Sequence, residues 1–510
     1  MYLDSQLKGG DLIKVEKDNA FRALIRNMQT MEEHKFQIPR EQEKILRGYQ
    51  KEGFYWIKTL KHNQFGGILA DDMGLGKTLQ VITFLWSEFQ ESAPGENRRA
   101  LVITPASLVF NWMNEIERFA PGLPATVVTG DVKERKALIK NAGEREVLIT
   151  SYDLLKRDLK AYQNLDFAVQ IIDEAQYIKN HGTQVAKAVK EIRSEFRLAL
   201  TGTPVENRLS ELWSIFDFLM PGFLYSYEKF RKEIELPAVQ YSNSDAMERL
   251  QKMIRPFVLR RLKRDVLKDL PDKLEKDMFS PLESEQKELY EAHTERLRLM
   301  LGMQSDAEFR TSKLQILAEI TRLRQICCYP GLVYEGYKGN SSKLEMCMEL
   351  VQNAVNGGHK LLLFSQFTTM LDVLAVRLKK AKVSFYMLTG STSKEKRAQM
   401  VHAFNEDDTS VFCISLKAGG TGLNLTAADI VIHYDPWWNL AVQNQATDRA
   451  HRIGQQNVVS VYRLFMKDTI EERIRALQER KRELADEILS GEGIGQALIS
   501  REEVLELLGR

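Results

Sequence analysis

The sequence is poor in cysteine and has no excess of either charge. Four cysteines occur in 510 residues, with no CxxC spacing and no set of histidines nearby: Cys327, Cys328, Cys347 and Cys413. This usage argues against a zinc site and indicates an intracellular chain with reduced thiols. The net charge of +2 comes from 72 Lys+Arg and 70 Asp+Glu. Overall charge therefore does not indicate a polyanionic partner, and any nucleic-acid surface must be a local patch.

The chain also lacks long apolar runs and a targeting signal. No run approaches the ~18 apolar residues of a membrane span, and the start, MYLDSQLKGG, has no basic-then-apolar pattern. We therefore expect a soluble, cytoplasmic protein without membrane contact. A hydrophobic content of 44% over 510 residues excludes a disordered class and predicts more than one domain.

The chain is organised around the stretch FGGILADDMGLGKTLQ at residues 65–80. A short apolar run predicts a buried strand, the apolar spacing at its end predicts a helix, and glycines lie between them. Such a loop curls backbone N–H groups around a phosphate, while Lys77 neutralises charge and the Thr78 hydroxyl holds Mg²⁺. Asp71 stands where the general pattern opens with glycine, so the bare motif does not match. The alternative is an ordinary glycine turn before a helix.

A polar stretch, LRGYQ at 46–50, precedes this loop. The Gln50 side chain offers one donor and one acceptor edge, which suits the rim of an adenine base. An exposed glutamine without a ligand is the alternative, and both interpretations stay open.

Beyond the loop, apolar segments alternate with helical ones. Strands are predicted at 101–104, 126–128, 147–150, 169–172 and 198–201. β-branched strands with a helix between each pair indicate a doubly wound parallel sheet. Ligands bind such sheets at the carboxyl ends of the strands, where this chain has its polar groups.

Asp173 and Glu174 directly follow the fourth of these strands. One carboxylate can hold the Mg²⁺ shell while the next orients and deprotonates an attacking water. A solvated acidic pair is the alternative, but the glycine loop earlier in the chain favours catalysis. Thr201, Gly202 and Thr203 close the next strand and are a candidate sensor between the nucleotide and the neighbouring surface.

The second half of the chain repeats the alternation. Strands are predicted at 361–364, 385–388, 411–414, 430–433 and 458–461. They indicate a second parallel sheet that lacks a glycine loop with lysine and should not bind nucleotide alone.

Arg449 and Arg452 lie in this second half, in the stretch DRAHRIGQ at 448–455. Arginines three apart share one helix face, so both guanidinium groups could reach a γ-phosphate bound to the other lobe and stabilise transition-state charge. An exposed pair of helical arginines is the alternative.

Several stretches together carry a family resemblance. They are LRGYQ at 46–50, DDMGLGKT at 71–78, LVITPASLVFNW at 101–112, ITSYD at 149–153, DEAQ at 173–176, LTGTPVENRLSELWSIFDFLMPG at 200–222, LLLFSQFTTMLD at 361–372, SLKAGGTGLNLTAAD at 415–429 and QATDRAHRIGQ at 445–455. In this order the chain resembles the Snf2 family of superfamily 2 helicase-like ATPases, of bacterial or archaeal type. The resemblance extends from about residue 46 to 480.

Three positions depart from the usual family residues. Asp72 replaces glutamate and keeps the charge with a shorter reach. Gln176 replaces the most frequent histidine and keeps hydrogen bonding without a group that titrates near neutrality. Leu440 stands where the family has proline. None of these changes removes a catalytic carboxylate, lysine or arginine.

The resemblance implies an α/β fold with two RecA-like, doubly wound parallel-sheet lobes, helical insertions between them and a C-terminal helical brace. The expected domains are an N-terminal helical lead-in (1–44), the ATP-binding lobe (45–222), helical protrusions and a linker (223–345), the second lobe (346–466) and the brace (467–510). The linker contains a basic run, LRRLKRDVLKDLP at 259–271. This run either contacts DNA or is a solvated amphipathic helix.

The resemblance also implies the site residues. Catalysis is expected from Lys77, Asp173, Glu174, Arg449 and Arg452, and Mg²⁺ binding from Thr78 and Asp173. Nucleotide contacts are expected from Arg47, Gln50, Asp72, Met73, Gly74, Leu75, Gly76, Lys77, Thr78, Leu79, Gly422, Arg449 and Arg452. Coupling between nucleotide and DNA is expected from Gln176, Thr201, Gly202, Thr203 and Gln445.

DNA contacts are expected from loops at the other rim of the lobes. Hydroxyls, amides beside glycines and one lysine suit phosphate oxygens without reading bases, so binding should be independent of sequence. The residues are Thr104, Ser107, Asn111, Trp112, Thr150, Tyr152, Ser365, Gln366, Lys417, Gly419, Gly420, Thr421 and Trp438. Trp438 either stacks on a base or packs between the lobes.

The predicted function is an ATP- and Mg²⁺-dependent motor that translocates on double-stranded DNA and remodels protein–DNA complexes. We expect a monomer associated with the nucleoid, and a DNA-bound protein such as RNA polymerase or a nucleoid protein is a candidate target. Two alternatives stay open. One is a strand-separating helicase, and the other is a nucleotide-gated DNA clamp or scaffold.

Overall fold

The computed structural model describes residues 36–91, 96, 98–202, 209–240, 244–267, 271–302, 306–419, 423–437 and 440–476. They form two units, the first reaching Leu267 and the second containing the described residues from 271 on. The predicted lead-in up to residue 35 and the predicted brace from residue 477 lie outside the described residues. Among the described helices, none combines the length and the apolar character needed to cross a membrane.

Buried apolar runs form the sheet of the first unit. Its strands are β1 (Gly67–Leu69), β2 (Ala100–Thr104), β3 (Ala125–Val127), β4 (Val147–Ser151), β5 (Phe167–Asp173), β6 (Ser194–Leu200) and β7 (Val258–Leu259). The order is β3-β4-β2-β5-β6-β1-β7, and every pair is parallel. Every residue of β2 and β4 is buried, as expected for central strands covered on both faces.

Helices lie before, between and after these strands along the chain. They are α1 (Arg40–Glu43), α2 (Gly48–His62), α3 (Lys77–Glu91), α4 (Val109–Phe119), α5 (Val132–Lys140), α6 (Tyr152–Tyr162), α7 (Gln184–Glu191), α8 (Leu209–Leu219), α9 (Tyr227–Phe230), α10 (Leu236–Gln240), α11 (Ser244–Ile254) and α12 (Lys263–Val266). Side-chain caps fix several starts: the Asp131 carboxylate accepts the N–H groups of Lys133 and Glu134, and the Ser151 hydroxyl accepts that of Leu154.

The second unit has its own parallel sheet. Its strands are β8 (Lys273–Ser280), β9 (Leu361–Ser365), β10 (Phe385–Leu388), β11 (Val411–Ser415), β12 (Ile430–His433) and β13 (Val459–Met466), in the order β10-β11-β9-β12-β13-β8. Side chains alternate between two separate apolar cores, with Leu361 and Leu363 in one and Leu362 and Phe364 in the other. Both faces of this sheet are therefore covered.

The helices of the second unit are α13 (Ser284–Gly302), α14 (Asp306–Cys328), α15 (Ser342–Asn356), α16 (Thr368–Lys380), α17 (Lys394–Glu406), α18 (Leu416–Gly419) and α19 (Leu440–Thr447). Residues 470–476 are also helical. Ile470 and Ile474 are fully buried against α13 and α14, so the described start of the predicted brace packs inward.

The prediction of two doubly wound parallel sheets is confirmed. One expectation needs correction, because residues 223–345 are not only helical. They contribute β7 to the first sheet and β8 to the second. The chain therefore passes from one sheet to the other within the segment that the sequence assigned to protrusions and a linker.

Candidate functional site

The loop after β1 has the shape of a phosphate-binding loop. β1 ends at Leu69 and α3 begins at Lys77, so residues 70–76 connect a strand to a 15-residue helix. Gly74 and Gly76 have φ angles of 86° and 74°, in the left-handed region that favours glycine. A glycine loop at a helix N-terminus presents N–H groups and a positive dipole end to an anion.

Lys77 reaches back across its own loop. Its Nζ donates to the Asp71 carbonyl oxygen at 2.6 Å and lies 3.4 Å from that of Asp72. A Cβ added to Gly202 would lie 4.0 Å from the same Nζ, so the end of β6 approaches the loop. The charge of Lys77 also acts on the Asp173 carboxylate. The fold therefore brings together the predicted lysine, acidic residue and sensor segment.

Gln50 is buried and supports the phosphate loop from α2. Its Nε2 donates to the Leu75 carbonyl oxygen at 3.1 Å, and its Oε1 accepts the Arg47 backbone N–H at 3.0 Å. The Tyr49 hydroxyl donates to the same Leu75 oxygen at 3.0 Å. A Cβ at Gly76 would lie 2.5 Å from Gln50 Nε2, so glycine lets the amide approach. The donor and acceptor atoms of the Gln50 amide, which were predicted to contact adenine, instead bond the phosphate loop and the start of α2 in this structure.

Asp173, the last residue of β5, is held by four donors. Its Oδ2 accepts the Trp112 Nε1–H at 2.8 Å and the Thr104 hydroxyl at 3.1 Å, and its Oδ1 accepts the Glu174 N–H at 2.9 Å. The Tyr152 hydroxyl donates to the Asp173 carbonyl oxygen at 2.7 Å. Burial raises the pKa of Asp173, and the hydrogen bonds from Trp112 and Thr104 oppose that rise. The carboxylate is thus fixed in one orientation.

Glu174 begins a hydrogen-bond chain to the end of β6. Its backbone is left-handed, with φ 53° and ψ 60°, a conformation that non-glycine residues adopt at a cost and that often marks functional sites. Its Oε2 accepts from Gln176 Nε2 at 2.7 Å, and Gln176 Oε1 accepts from the Thr201 hydroxyl at 3.2 Å. The structure therefore joins the predicted base to two predicted coupling residues. Thr203 lies outside the described residues.

Four predicted DNA contacts of the first unit face the interior. Thr104 and Thr150 are 0% exposed, Trp112 1% and Tyr152 3%. In this structure they present no surface to a DNA strand, which corrects the sequence interpretation. The physical reason is that three of them direct their polar groups to Asp173.

Two other predicted contacts of this unit reach the surface. Ser107 is exposed, and Asn111 is half-buried with its Nδ2 donating to Glu115 Oε1 at 3.0 Å. Phe110 lies between them and is 45% exposed. Phe110 is not one of the predicted DNA contacts; its exposure follows from its place on α4, because consecutive apolar residues at the start of a helix cannot all face the core.

The basic run at 259–271 is not one amphipathic helix. β7 ends at Leu259, and of the run's described residues, 259–267 and 271, only Lys263–Val266 are helical. The Arg261 side chain is 9% exposed and pairs with the buried Asp71, so it is not a surface contact. Residues 268–270 of the run lie outside the described residues.

Arg449 and Arg452 lie beyond the helix on which they were predicted. α19 ends at Thr447, and turns follow it, so the argument from helical spacing is wrong. Both arginines nevertheless approach one segment: the Arg449 carbonyl oxygen accepts the Leu425 N–H at 3.0 Å, and Arg452 Nη1 donates to the Leu423 carbonyl oxygen at 3.4 Å. Arg449 is 4% exposed.

Ser365 is also buried, against the prediction of a DNA contact. Its hydroxyl donates to Asp435 Oδ1 at 2.5 Å, and the Gln366 backbone N–H donates to Asp435 Oδ2 at 3.2 Å. Burial raises the pKa of Asp435. These bonds fix the turn after β9, and Ser365 itself offers nothing to solvent.

Some of the other predicted residues of the second unit lie in short helices, and the rest lie outside the described residues. Lys417 and Gly419 belong to α18, and Gln445 belongs to α19. The residues outside the described part of the chain are Gly420, Thr421, Gly422 and Trp438.

Two family models match the chain: the SNF2-related domain over residues 49–332, and the helicase conserved C-terminal domain over residues 342–454. The chain belongs to the SNF2-related family of ATPases. The resemblance inferred from the motifs is thus confirmed.

Among SNF2-related relatives, an uncharacterized ATP-dependent helicase of Mycoplasma pneumoniae is 40% identical over 95% of this chain and 46% of its own. The TATA-binding protein-associated factor MOT1 of Saccharomyces cerevisiae is 35% identical over 92% of this chain and 29% of its own. The chain thus spans about half the length of the first relative and less of the second. The structure of the Sulfolobus solfataricus SWI2/SNF2 ATPase core in complex with dsDNA is 38% identical, covers 88% of this chain and 93% of its own, and has a TM-score of 0.44.

Thr78 carries a hydroxyl oxygen and Asp173 a carboxylate oxygen, which are donor types that suit Mg²⁺. Mg²⁺ prefers hydroxyl and carboxylate oxygens and keeps several waters. Thr78 directly follows Lys77, and the charge of Lys77 acts on Asp173. Among the described residues no group of three or more His, Cys, Asp and Glu could hold a metal. An ion here would take its other ligands from nucleotide and water.

Proposed function

We propose that the chain is a DNA-stimulated ATPase that translocates on double-stranded DNA without separating the strands. The observation that carries this proposal is the hydrogen-bond chain from Glu174 through Gln176 to Thr201, beside the loop of Lys77. It connects a candidate base to a neighbouring strand end, and in this proposal that link couples hydrolysis to movement. Family membership and the relative named as an ATP-dependent helicase support ATP as the substrate.

In this proposal Lys77 neutralises the β- and γ-phosphates of ATP. Thr78 and Asp173 would hold Mg²⁺, which when bound screens phosphate charge. Glu174 orients the attacking water and accepts its proton. Gln176 keeps the Glu174 carboxylate in place, because its amide donates to Oε2 at 2.7 Å.

We also propose that Arg449 and Arg452 stabilise charge on the γ-phosphate during hydrolysis, as arginine fingers do. The surface residues Ser107 and Asn111, with the backbone around Gly419, are proposed to contact DNA phosphates without reading sequence. A monomer working at the nucleoid would then displace or remodel a DNA-bound protein such as RNA polymerase or a nucleoid protein.

The substitution Glu174→Gln tests the catalytic assignment. Glutamine keeps the shape and can still accept the Gln176 hydrogen bond, but it cannot take a proton. We expect nucleotide binding close to that of the wild type and a fall in kcat of ~10²- to 10⁴-fold. Binding is measured by titration with a fluorescent ATP analogue, and kcat by phosphate release.

Glu195→Gln is the matched control, because Glu195 is exposed on β6 outside this site. It should leave both quantities unchanged. Normal turnover by Glu174→Gln would refute the assignment of the base.

A further inference from the structure

Asp71 forms a buried ion pair that the proposed hydrolysis does not use. Its side chain is 0% exposed and that of Arg261 is 9% exposed. Arg261 Nε donates to Oδ1 at 2.9 Å and Nη2 donates to Oδ2 at 2.6 Å. This two-pronged geometry is the strong form of an arginine–carboxylate contact and holds both groups in one orientation.

Neighbouring side chains complete this contact. Gln80 Nε2 donates to Asp71 Oδ2 at 3.1 Å, while Gln80 Oε1 accepts from Arg261 Nη2 at 2.8 Å. Arg261 Nη1 donates to the Tyr49 carbonyl oxygen, and the guanidinium lies 5.2 Å from the centre of the Tyr49 ring. A Cβ on Gly53 would overlap the Gln80 oxygen and come within 2.9 Å of Arg261 Nη2. Helix α2 therefore packs here through a glycine.

The backbone of Asp71 holds the catalytic lysine. Its carbonyl oxygen accepts from Lys77 Nζ at 2.6 Å. The Asp72 N–H donates to the Arg261 carbonyl oxygen at 2.9 Å, and Asp72 Oδ2 accepts the Lys263 N–H at 3.0 Å. The first residues of the phosphate loop are thus bonded through side chains and backbone to the segment that contains Arg261.

This segment is also where the chain leaves the first unit, whose described residues reach Leu267. β7, which ends at Leu259, pairs with β1 immediately before the loop. A shift of the segment must therefore move Asp71 or separate a buried charge pair, which is costly when one partner is left alone.

We infer that Arg261 is a positioning residue for ATP hydrolysis. It fixes, through Asp71, the carbonyl oxygen that orients Lys77, and so ties the phosphate loop to the chain segment that leaves the first unit. The inference rests on the proposed ATPase function.

The test compares Arg261→Gln with a matched control, Arg135→Gln. Arg135 and Asp158 form a similar buried pair, with Nε–Oδ2 at 2.5 Å and Nη2–Oδ1 at 3.0 Å and with 6% and 3% exposure. They lie on α5 and α6, the helices that follow β3 and β4, and have no part in the proposed site. A purely structural role would give both variants the same result.

For each variant, a thermal unfolding curve first gives the fraction of protein that is folded at the assay temperature. KM, kcat and the Kd of a fluorescent ATP analogue are then measured. Arg261→Gln should raise KM and Kd by about tenfold or more, while Arg135→Gln stays within about twofold. Arg261→Lys keeps the charge without the two-pronged contact and should fall between.

Values within about twofold of wild type for Arg261→Gln would overturn the inference. If that variant does not fold, KM and Kd of Arg261→Lys are measured instead, and values within about twofold of wild type would overturn the inference. A wild-type protein that binds nucleotide without hydrolysing it would refute the proposed function, while Kd would still test Arg261.

Discussion

Several polar residues that were predicted to contact DNA instead donate hydrogen bonds to buried carboxylates. Thr104 ends β2 and Trp112 lies in the helix that follows, where hydroxyl and indole groups suggest a ligand surface. In the structure both donate to Asp173 Oδ2, and Ser365 similarly donates to Asp435. A buried carboxylate needs such donors, because its lone pairs cannot reach water. One sequence cannot show whether a hydroxyl faces a ligand or a neighbouring carboxylate.

The buried side chain of His433 predicts a pH dependence of stability. It is 1% exposed, its Nε2 lies 2.8 Å from the Thr447 hydroxyl oxygen, and burial lowers its pKa to about 3. In the unfolded chain the pKa returns to about 6.5, so the unfolded state binds more protons between these values. The free energy of unfolding should therefore fall as pH drops below about 6.5, by ~2 kcal/mol at pH 5 from this residue alone.

Urea unfolding at pH 7 and pH 5 measures this dependence. His433→Gln should be less stable at pH 7, because it loses the stacking on Phe364, but its loss between pH 7 and 5 should be ~2 kcal/mol smaller than that of the wild type. His402→Gln, at an exposed position on α17, is the control. An unchanged pH dependence in His433→Gln would contradict the account.

Among the elements, α15 and the helix at 470–476 are joined by a buried ion pair. Lys343 Nζ donates to Glu471 Oε1 and Oε2 at 2.7 and 2.6 Å, and both side chains are 0% exposed. Glu471→Leu leaves the ammonium buried alone and should lower the free energy of unfolding by ~3–5 kcal/mol. The double variant Lys343→Met/Glu471→Leu removes both charges and should recover most of that loss. Urea unfolding at neutral pH measures both values.

The exposed pair Lys287–Glu291 on α13 is the control, because its removal should change stability by less than about 1 kcal/mol. A double variant that is no more stable than Glu471→Leu alone would contradict the explanation that the unpaired, buried Lys343 ammonium destabilises Glu471→Leu.

The central strands were predictable because their residues are continuously buried and apolar. The two missed strands differ for physical reasons. β7 has only two residues, and its place depends on pairing with β1. β8 is an edge strand with little burial, where Leu274 is 59% exposed, so the period-2 pattern is weak. Tertiary contacts rather than local pattern define both strands.

The arginine motif is a second place where local sequence spacing does not define the backbone, because it lies in a turn and not in a helix. The spacing of Arg449 and Arg452 fits a helix face, yet α19 ends at Thr447. Gln455, just beyond, donates to the carbonyl oxygens of Ala428 and Ala450 at 2.8 and 3.1 Å, which stabilises the turn. A side chain that caps backbone carbonyls can favour a turn over further helix, and sequence spacing alone does not reveal that choice.

At the scale of the whole molecule, the motif order predicted two parallel sheets and placed the phosphate loop and the acidic pair on the first of them. The loop, Asp173 and Gly202 do converge, because parallel strands carry their polar residues at one edge of the sheet. The bond between Arg261 and Asp71 was not predictable, since it joins residues 190 positions apart and the basic run that contains Arg261 indicates a DNA contact or a solvated helix rather than a buried ion pair.

We propose that the chain is an ATPase that duplex DNA activates. Its most direct test is the steady-state ATPase rate without nucleic acid and with single-stranded DNA, duplex DNA or duplex RNA, at one fixed low salt concentration. Salt is fixed because phosphate contacts weaken steeply as salt rises. Lys77→Ala, which lacks the ammonium of the phosphate loop, is the blank. We predict strong stimulation by duplex DNA alone. Stimulation only by single strands, or no stimulation despite tight DNA binding, would contradict the account and indicate a strand-separating helicase or a nucleotide-gated clamp.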